Sequence, residues 1–188
     1  KFKRMRRFLC NPRWHPQRLF APLIAFLVAR FPPGRYLPII VDQSTIAGKW
    51  EVIWACLPFR GRALPIAFHL FSYRSIRQDP HGSQNRLEER FLCRLVRLLP
   101  PETEPLFLLD RGYARASLIQ LLETLPVRYV VRARKNVWIQ HQGFQGPLGE
   151  LSPAPGSLQG YSDVVYGRSA RLRVRLAVTH SPEAEEPW

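Results

Sequence analysis

Two acidic residues stand out for where they fall. Asp42 interrupts the apolar run IIVDQSTI, and Asp110 ends another in LLDRGY. They are two of only four aspartates in 188 residues. An acid within an apolar strand costs several kcal/mol unless it is hydrogen-bonded, paired or bound to a metal. Each has an ordinary structural reading. Asp42 could bond a nearby turn through Ser44 or Thr45, and Asp110 could form a turn or sit at a helix N-terminus before Arg111-Gly112. Side by side, however, the two carboxylates would repel, which raises one pKa or requires a cation. Hard oxygen donors match Mg²⁺ or Mn²⁺. Two such ions about 3.5–4 Å apart activate an attacking oxygen and stabilise a leaving one at a phosphodiester.

The elements around them set whether they meet. Residues 1–17 read as a basic, irregular arm, and residues 18–31 as a helix with Pro22 in its first turn. Tyr36–Ile46, Trp50–Pro58 and Ala63–Phe71 read as strands joined by the turns Ala47-Gly48-Lys49 and Arg60-Gly61-Arg62. Such short connections predict an antiparallel meander. Residues 72–84 read as a polar loop, and 85–99 as a helix with Leu87, Phe91, Leu95 and Leu98 inward and Glu88 and Glu89 outward. Leu106–Leu109 is a short strand, Ala114–Leu125 a helix and Val127–Ala133 a strand, a right-handed crossover. The order β-β-β-α-β-α-β is that of a ribonuclease H-like α/β fold, a mixed sheet in which the first and fourth strands are neighbours. That would set Asp42 beside Asp110. Residues 141–162, rich in Gly, Pro, Ser and Gln, read as loop with short extended pieces. Strands follow at Val164–Tyr166 and Leu172–Val178, the latter alternating Arg173 and Arg175 with apolar residues. We therefore expect a basic arm and N-terminal helix at 1–35, a catalytic core at 36–135 and a β-rich insertion at 136–188.

Charge indicates the partner. Lys plus Arg number 28 against 14 Asp plus Glu, a net charge of +14. Such an excess favours a polyanion, most often nucleic acid. Lys3, Arg4, Arg6 and Arg7 suit non-specific phosphate contact. Arg132, Arg134 and Lys135 lie by the same sheet edge as Asp110, and Arg111 follows it directly. Gly112 reads as the residue permitting a tight turn. Tyr113 reads equally as helix-start packing or a contact to the DNA backbone. Trp50 and Trp54 share a strand face and read as packing. No apolar run reaches the roughly 18–20 residues that cross a bilayer. Three widely spaced cysteines fit a reducing cytosol, with no disulfide framework or zinc site. A P-loop is absent.

VDQSTI and LLDRGYARASLIQLLETLPVRYVVRARKN, with the surrounding element order, resemble the DDE transposases of the IS4-like group of bacterial insertion sequences. The likeness runs from about Leu19 to Trp188. It implies that Asp42 and Asp110 are the first and second catalytic, metal-binding acids, with Mg²⁺ or Mn²⁺ as cofactor. It also implies a double-stranded DNA substrate (transposon ends and target), a homodimer on paired ends, and a bacterial cytoplasmic, nucleoid-associated setting. The chemistry implied is cleavage at transposon ends followed by strand transfer. The family's third ligand is a glutamate in a Tyr, Arg, Glu and Lys signature on a late helix. Glu183, Glu185 and Glu186, in a Pro-flanked tail, do not match it. The expectation is therefore a fragment ending before that glutamate, with an incomplete metal site. A DNA-binding remnant without turnover is the alternative, and a ribonuclease or resolvase of the same fold a third reading.

Overall fold

The computed structural model describes residues 3, 4, 7, 11, 16–31, 36–78, 82–151 and 153–183. A first helix, α1 (Pro16–Val28), precedes three strands, β1 (Leu37–Ile46), β2 (Trp50–Phe59) and β3 (Arg62–Phe71). Next come α2 (Tyr73–Gln78), α3 (Gln84–Leu98), β4 (Pro105–Leu109), a 3₁₀ turn (Arg111–Tyr113), α4 (Ala116–Thr124) and β5 (Arg128–Val131). Four further strands close the order: β6 (Trp138–His141), β7 (Phe144–Pro147), β8 (Leu158–Tyr166) and β9 (Leu172–Thr179). One sheet is mixed, with order β3-β2-β1-β4-β5, and has the first and fourth strands in the expected order. The other is antiparallel, β7-β6-β8-β9. The chain divides into two compact units, residues 1–106 and 107–188.

In the first unit the meander forms as its turns dictate. Ile46 pairs with Trp50 around Ala47 and Gly48, both at positive φ. Phe59 pairs with Arg62 across Arg60 and Gly61, again both at positive φ, as a two-residue hairpin turn requires. On β1, Leu37, Ile39 and Val41 are buried and the apolar half stops there. The α1 helix begins two residues earlier than its pattern indicates, which moves Pro22 into its interior. Ile24 is fully buried, whereas Leu23 and Phe26 are exposed.

Two expectations in this unit are corrected. Residues 73–78 are helical rather than loop: the Ser72 hydroxyl accepts the Ser75 N–H at 3.1 Å, and Ser75 Oγ accepts the Ser72 N–H at 3.2 Å. This reciprocal cap starts a helix that buries nothing, so no hydrophobic period announces it. On α3, capped by Ser83 and buried through Phe91, Leu92 and Leu95, Glu88 points inward at 4% exposure.

In the second unit, α4 buries Leu118, Ile119 and Leu122 and starts two residues later than its pattern, because Arg115, at φ −98° and ψ 144°, is extended and caps it. Ile119 joins Ile139, Val164 and Tyr166 in one core cluster, flanked by Val137, Phe144, Leu172 and Val174. Within 141–162 the short extended pieces are β7, which forms a hairpin with β6 across the two-residue turn Gln142-Gly143 with φ of 42° and 87°, and the start of β8, which begins at Leu158 rather than Val164. The preceding residues, Trp138–His141, already belong to this sheet. The expected alternation on β9 is present: Arg173 and Arg175 are exposed between half-buried Leu172, Val174 and Leu176.

Candidate functional site

Asp42 sits in β1 opposite Trp54. It is exposed, which corrects the expectation of an acid buried in an apolar strand. Its Oδ1 accepts the N–H of Gln43 at 2.8 Å, the next residue along. It does not use Ser44 or Thr45; the Thr45 hydroxyl instead donates to Glu51 Oε1 at 3.0 Å. Asp42 also acts on Cys56. Burial first, and then the Asp42 charge, push that thiol above its ordinary range.

The buried acid of this sheet is Glu51, 7% exposed in WEVIW of β2. The apolar-run argument that singles out Asp42 applies with equal force to Glu51. Gln43 Nε2 donates to Glu51 Oε2 at 3.1 Å, and Gln84 Nε2 donates both to Gln43 Oε1 at 3.0 Å and to Glu88 Oε1 at 2.9 Å. A buried polar network thus ties β1, immediately after Asp42, to β2 and to the first turns of α3. Buried carboxylates demand such partners. Sequence reasoning did not assemble this network of Gln43, Glu51, Gln84 and Glu88, and the spacing of Gln84 and Glu88, one helical turn apart, was the available signal.

Asp110 follows β4 directly and precedes the 3₁₀ turn, with φ −75° and ψ 170°. It makes no side-chain cap, so it is not the helix-capping acid of the ordinary reading. Its side chain is half-exposed, with Arg132 Nη1 at 3.9 Å from Oδ1. An exposed pair at that distance contributes about 0–1 kcal/mol. Arg111 follows Asp110 in the chain, and Arg134 reaches that residue's backbone. Arg134 Nε donates to the Arg111 carbonyl at 3.0 Å, and Tyr166 donates its hydroxyl to the Ala114 carbonyl at 2.9 Å. Lys135 is exposed, and its carbonyl accepts the Gly149 N–H at 2.7 Å. A Cβ on Gly149 would lie 3.2 Å from the Lys135 Cβ, so a glycine suits this close approach. Tyr113 is buried, in line with the packing alternative of its two readings. Gly112 has no positive φ and open space where a Cβ would go, so the turn does not require glycine there.

Lys3, Arg4 and Arg7 are exposed, and Arg6 lies outside the described residues. Trp54 packs against Phe68 with ring centroids 5.8 Å apart, while Trp50 is 39% exposed. Among the described residues no three His, Cys, Asp or Glu side chains group as metal ligands, and no helix is long and apolar enough to cross a membrane. A cavity of about 300 Å³ in the first unit is lined by Trp50, His69, Phe71, Ser83, Arg86 and Arg90 among others, and neither aspartate lines it.

Asp42 and Asp110 thus each present an exposed carboxylate, the first within a strand and the second directly after one. Residues 34–181 match the Transposase DDE domain, and the chain belongs to that family. Domains of this family serve transposition and use divalent metal ions. No curated protein sequence matches the chain. Among solved structures it is similar to the large terminase of a thermophilic bacteriophage, at 12% identity and a TM-score of 0.33. That likeness covers 53% of this chain and 24% of the terminase, and is too slight to bear on the fold.

Proposed function

We propose that Asp42 and Asp110 are two of the metal-binding acids of an IS4-like transposase, and that the whole protein nicks DNA at transposon ends and joins the freed 3′-hydroxyl to target DNA. On this reading residues 36–135 belong to a ribonuclease H-like core and 136–188 to its β-rich insertion. The observation that carries it is the condition of the two carboxylates. Asp42 accepts one local N–H, and Asp110 forms neither a cap nor a close ion pair. Exposed oxygen donors in that state fit Mg²⁺ or Mn²⁺. A divalent ion, when bound, supplies a more acidic water and neutralises charge on the phosphodiester. The chain's own part is to hold the ligands and the DNA. Gln43 and its network steady β1 beside Asp42. Arg111, Arg132, Arg134 and Lys135 offer cations to backbone phosphates, which fixes register without reading sequence. The basic residues Lys3, Arg4, Arg6 and Arg7 add non-specific contact, and two copies hold paired ends.

A DNA-binding remnant without turnover is the second reading. It is favoured by the absence, among the described residues, of a third acid grouped with the others. Calorimetric titration of Mn²⁺ into the chain and into Asp42→Asn and Asp110→Asn, with nicking of supercoiled DNA measured in parallel, separates the two. We expect each substitution to abolish metal binding. Metal binding that survives both refutes the ligand assignment. DNA binding by all three proteins, with neither metal binding nor nicking, leaves the second reading.

A further inference from the structure

We propose that Tyr166 and Arg134 are positioning residues for Asp110, a clasp by which β8 and the β5–β6 connection fix the turn that bears this acid. The proposal rests on the reading of Asp110 as a metal ligand. The turn is a three-residue 3₁₀ segment with no side-chain cap at its start. Three backbone bonds run through it: Tyr113 N–H to Asp110 O at 2.9 Å, Ala114 N–H to Arg111 O at 3.3 Å, and Arg115 N–H to Tyr113 O at 2.8 Å. Short 3₁₀ pieces have poor hydrogen-bond geometry. A carboxylate half-exposed at the head of such a turn moves with it.

Two donors from outside close on the turn. Arg134 Nε takes the second lone pair of the Arg111 carbonyl, which the turn itself uses once. Tyr166 reaches the Ala114 carbonyl from 52 residues further along the chain. Tyr166 is 5% exposed and packs with Ile119, Ile139 and Val164, so its hydroxyl cannot shift without unpacking the second sheet. Burial raises its pKa, and the nearby Arg134 charge opposes this only in part, so the phenol stays a donor at neutral pH. The two bonds bracket the turn at its first residue and its exit. Partners behind a metal ligand that hold it in place typically affect metal affinity by 10- to 100-fold when mutated.

Tyr166→Phe keeps the ring and its packing and deletes only the donor. In the full chain we expect its Mn²⁺ affinity, by calorimetry, to fall roughly 10- to 100-fold. The exchange of the Tyr113 amide, which needs no metal, should quicken, and duplex DNA affinity should stay unchanged. Arg134→Lys, which keeps the charge but not the Nε geometry, should weaken Mn²⁺ in the same direction and carries the test if Tyr166→Phe does not fold. Wild-type Mn²⁺ affinity and wild-type Tyr113 exchange in a folded Tyr166→Phe, or in Arg134→Lys should the first variant not fold, overturn the clasp. Asp110→Asn, titrated alongside, keeps the two claims apart. If it still binds Mn²⁺ as wild type does, the ligand reading fails. If it loses binding while Tyr166→Phe does not, only the clasp fails.

Discussion

Replacing Gln84 by leucine tests the network beside Asp42. Gln84 makes three side-chain hydrogen bonds: to Glu88 Oε1 at 2.9 Å, to Gln43 Oε1 at 3.0 Å, and from Tyr73 Oη at 3.3 Å. Tyr73 is exposed and recovers its bond with water. Glu88 does not, because it is buried. A lost bond to a carboxylate costs about 1.5–3 kcal/mol, and a neutral one about 0.5–1.5 kcal/mol. Apolar contact by the leucine, on a half-buried position, returns about 1 kcal/mol. The net expectation is a loss of roughly 1–3 kcal/mol, a fall in melting temperature of roughly 3–10 °C for a chain of this size. Urea unfolding followed by tryptophan fluorescence suits the measurement, since Trp50 and Trp54 lie in the same unit. Glu88→Leu combined with Gln84→Leu should cost less than the two single losses added, because both substitutions remove the same bond. A Gln84→Leu variant within about 0.5 kcal/mol of wild type, the scatter of an ordinary surface substitution, refutes the claim that the network holds this end of β1.

Two further outcomes are expected. His69 is half-buried, and desolvation first, then the charge of Arg94, lower its pKa below the ordinary 6.5. The unfolded chain therefore binds more protons below about pH 6.5, so this group's contribution to stability is complete above that pH and declines as pH falls through it. His69→Gln should flatten the dependence of the urea midpoint between about pH 7 and 5, and an unchanged slope refutes the assignment. If β9 faces DNA, Arg173→Gln with Arg175→Gln should make the slope of log K against log salt shallower by about 1.8, at about 0.9 per phosphate contact. A wild-type slope in that variant removes this strand from the DNA surface.

The meander was legible because each of its turns is short and its strands are rich in β-branched residues, so local rules determine the pairing. The position of Asp110 was legible for a similar reason: the apolar run of β4 stops at it. What escaped is non-local or without period. The α2 helix buries nothing and is started by two serines. Gln142-Gly143 lacks the Asn-Gly or Asp-Gly pair that usually signals a tight hairpin. Glu88 carries a charge on a helix whose Arg86, Arg90 and Arg97 are exposed, and its bond with Gln84 is a contact that no charge pattern announces. The hydroxyl of Tyr166 meets a carbonyl 52 residues away, a partner that no window along the chain contains.

The ends of the sheets have a consequence of their own. β3 and β9 are edge strands, each with a row of backbone groups that a foreign strand could pair with. β3 is protected by Pro65 and by the register shift opposite it, which interrupt any added ladder. β9 has no proline; its guards are the two outward arginines. The charges that suit this strand to a polyanion also keep one molecule from annealing to the next. Removing them therefore tests DNA contact and self-association together, and lysine at both positions, which keeps the repulsion while altering the phosphate geometry, separates the two.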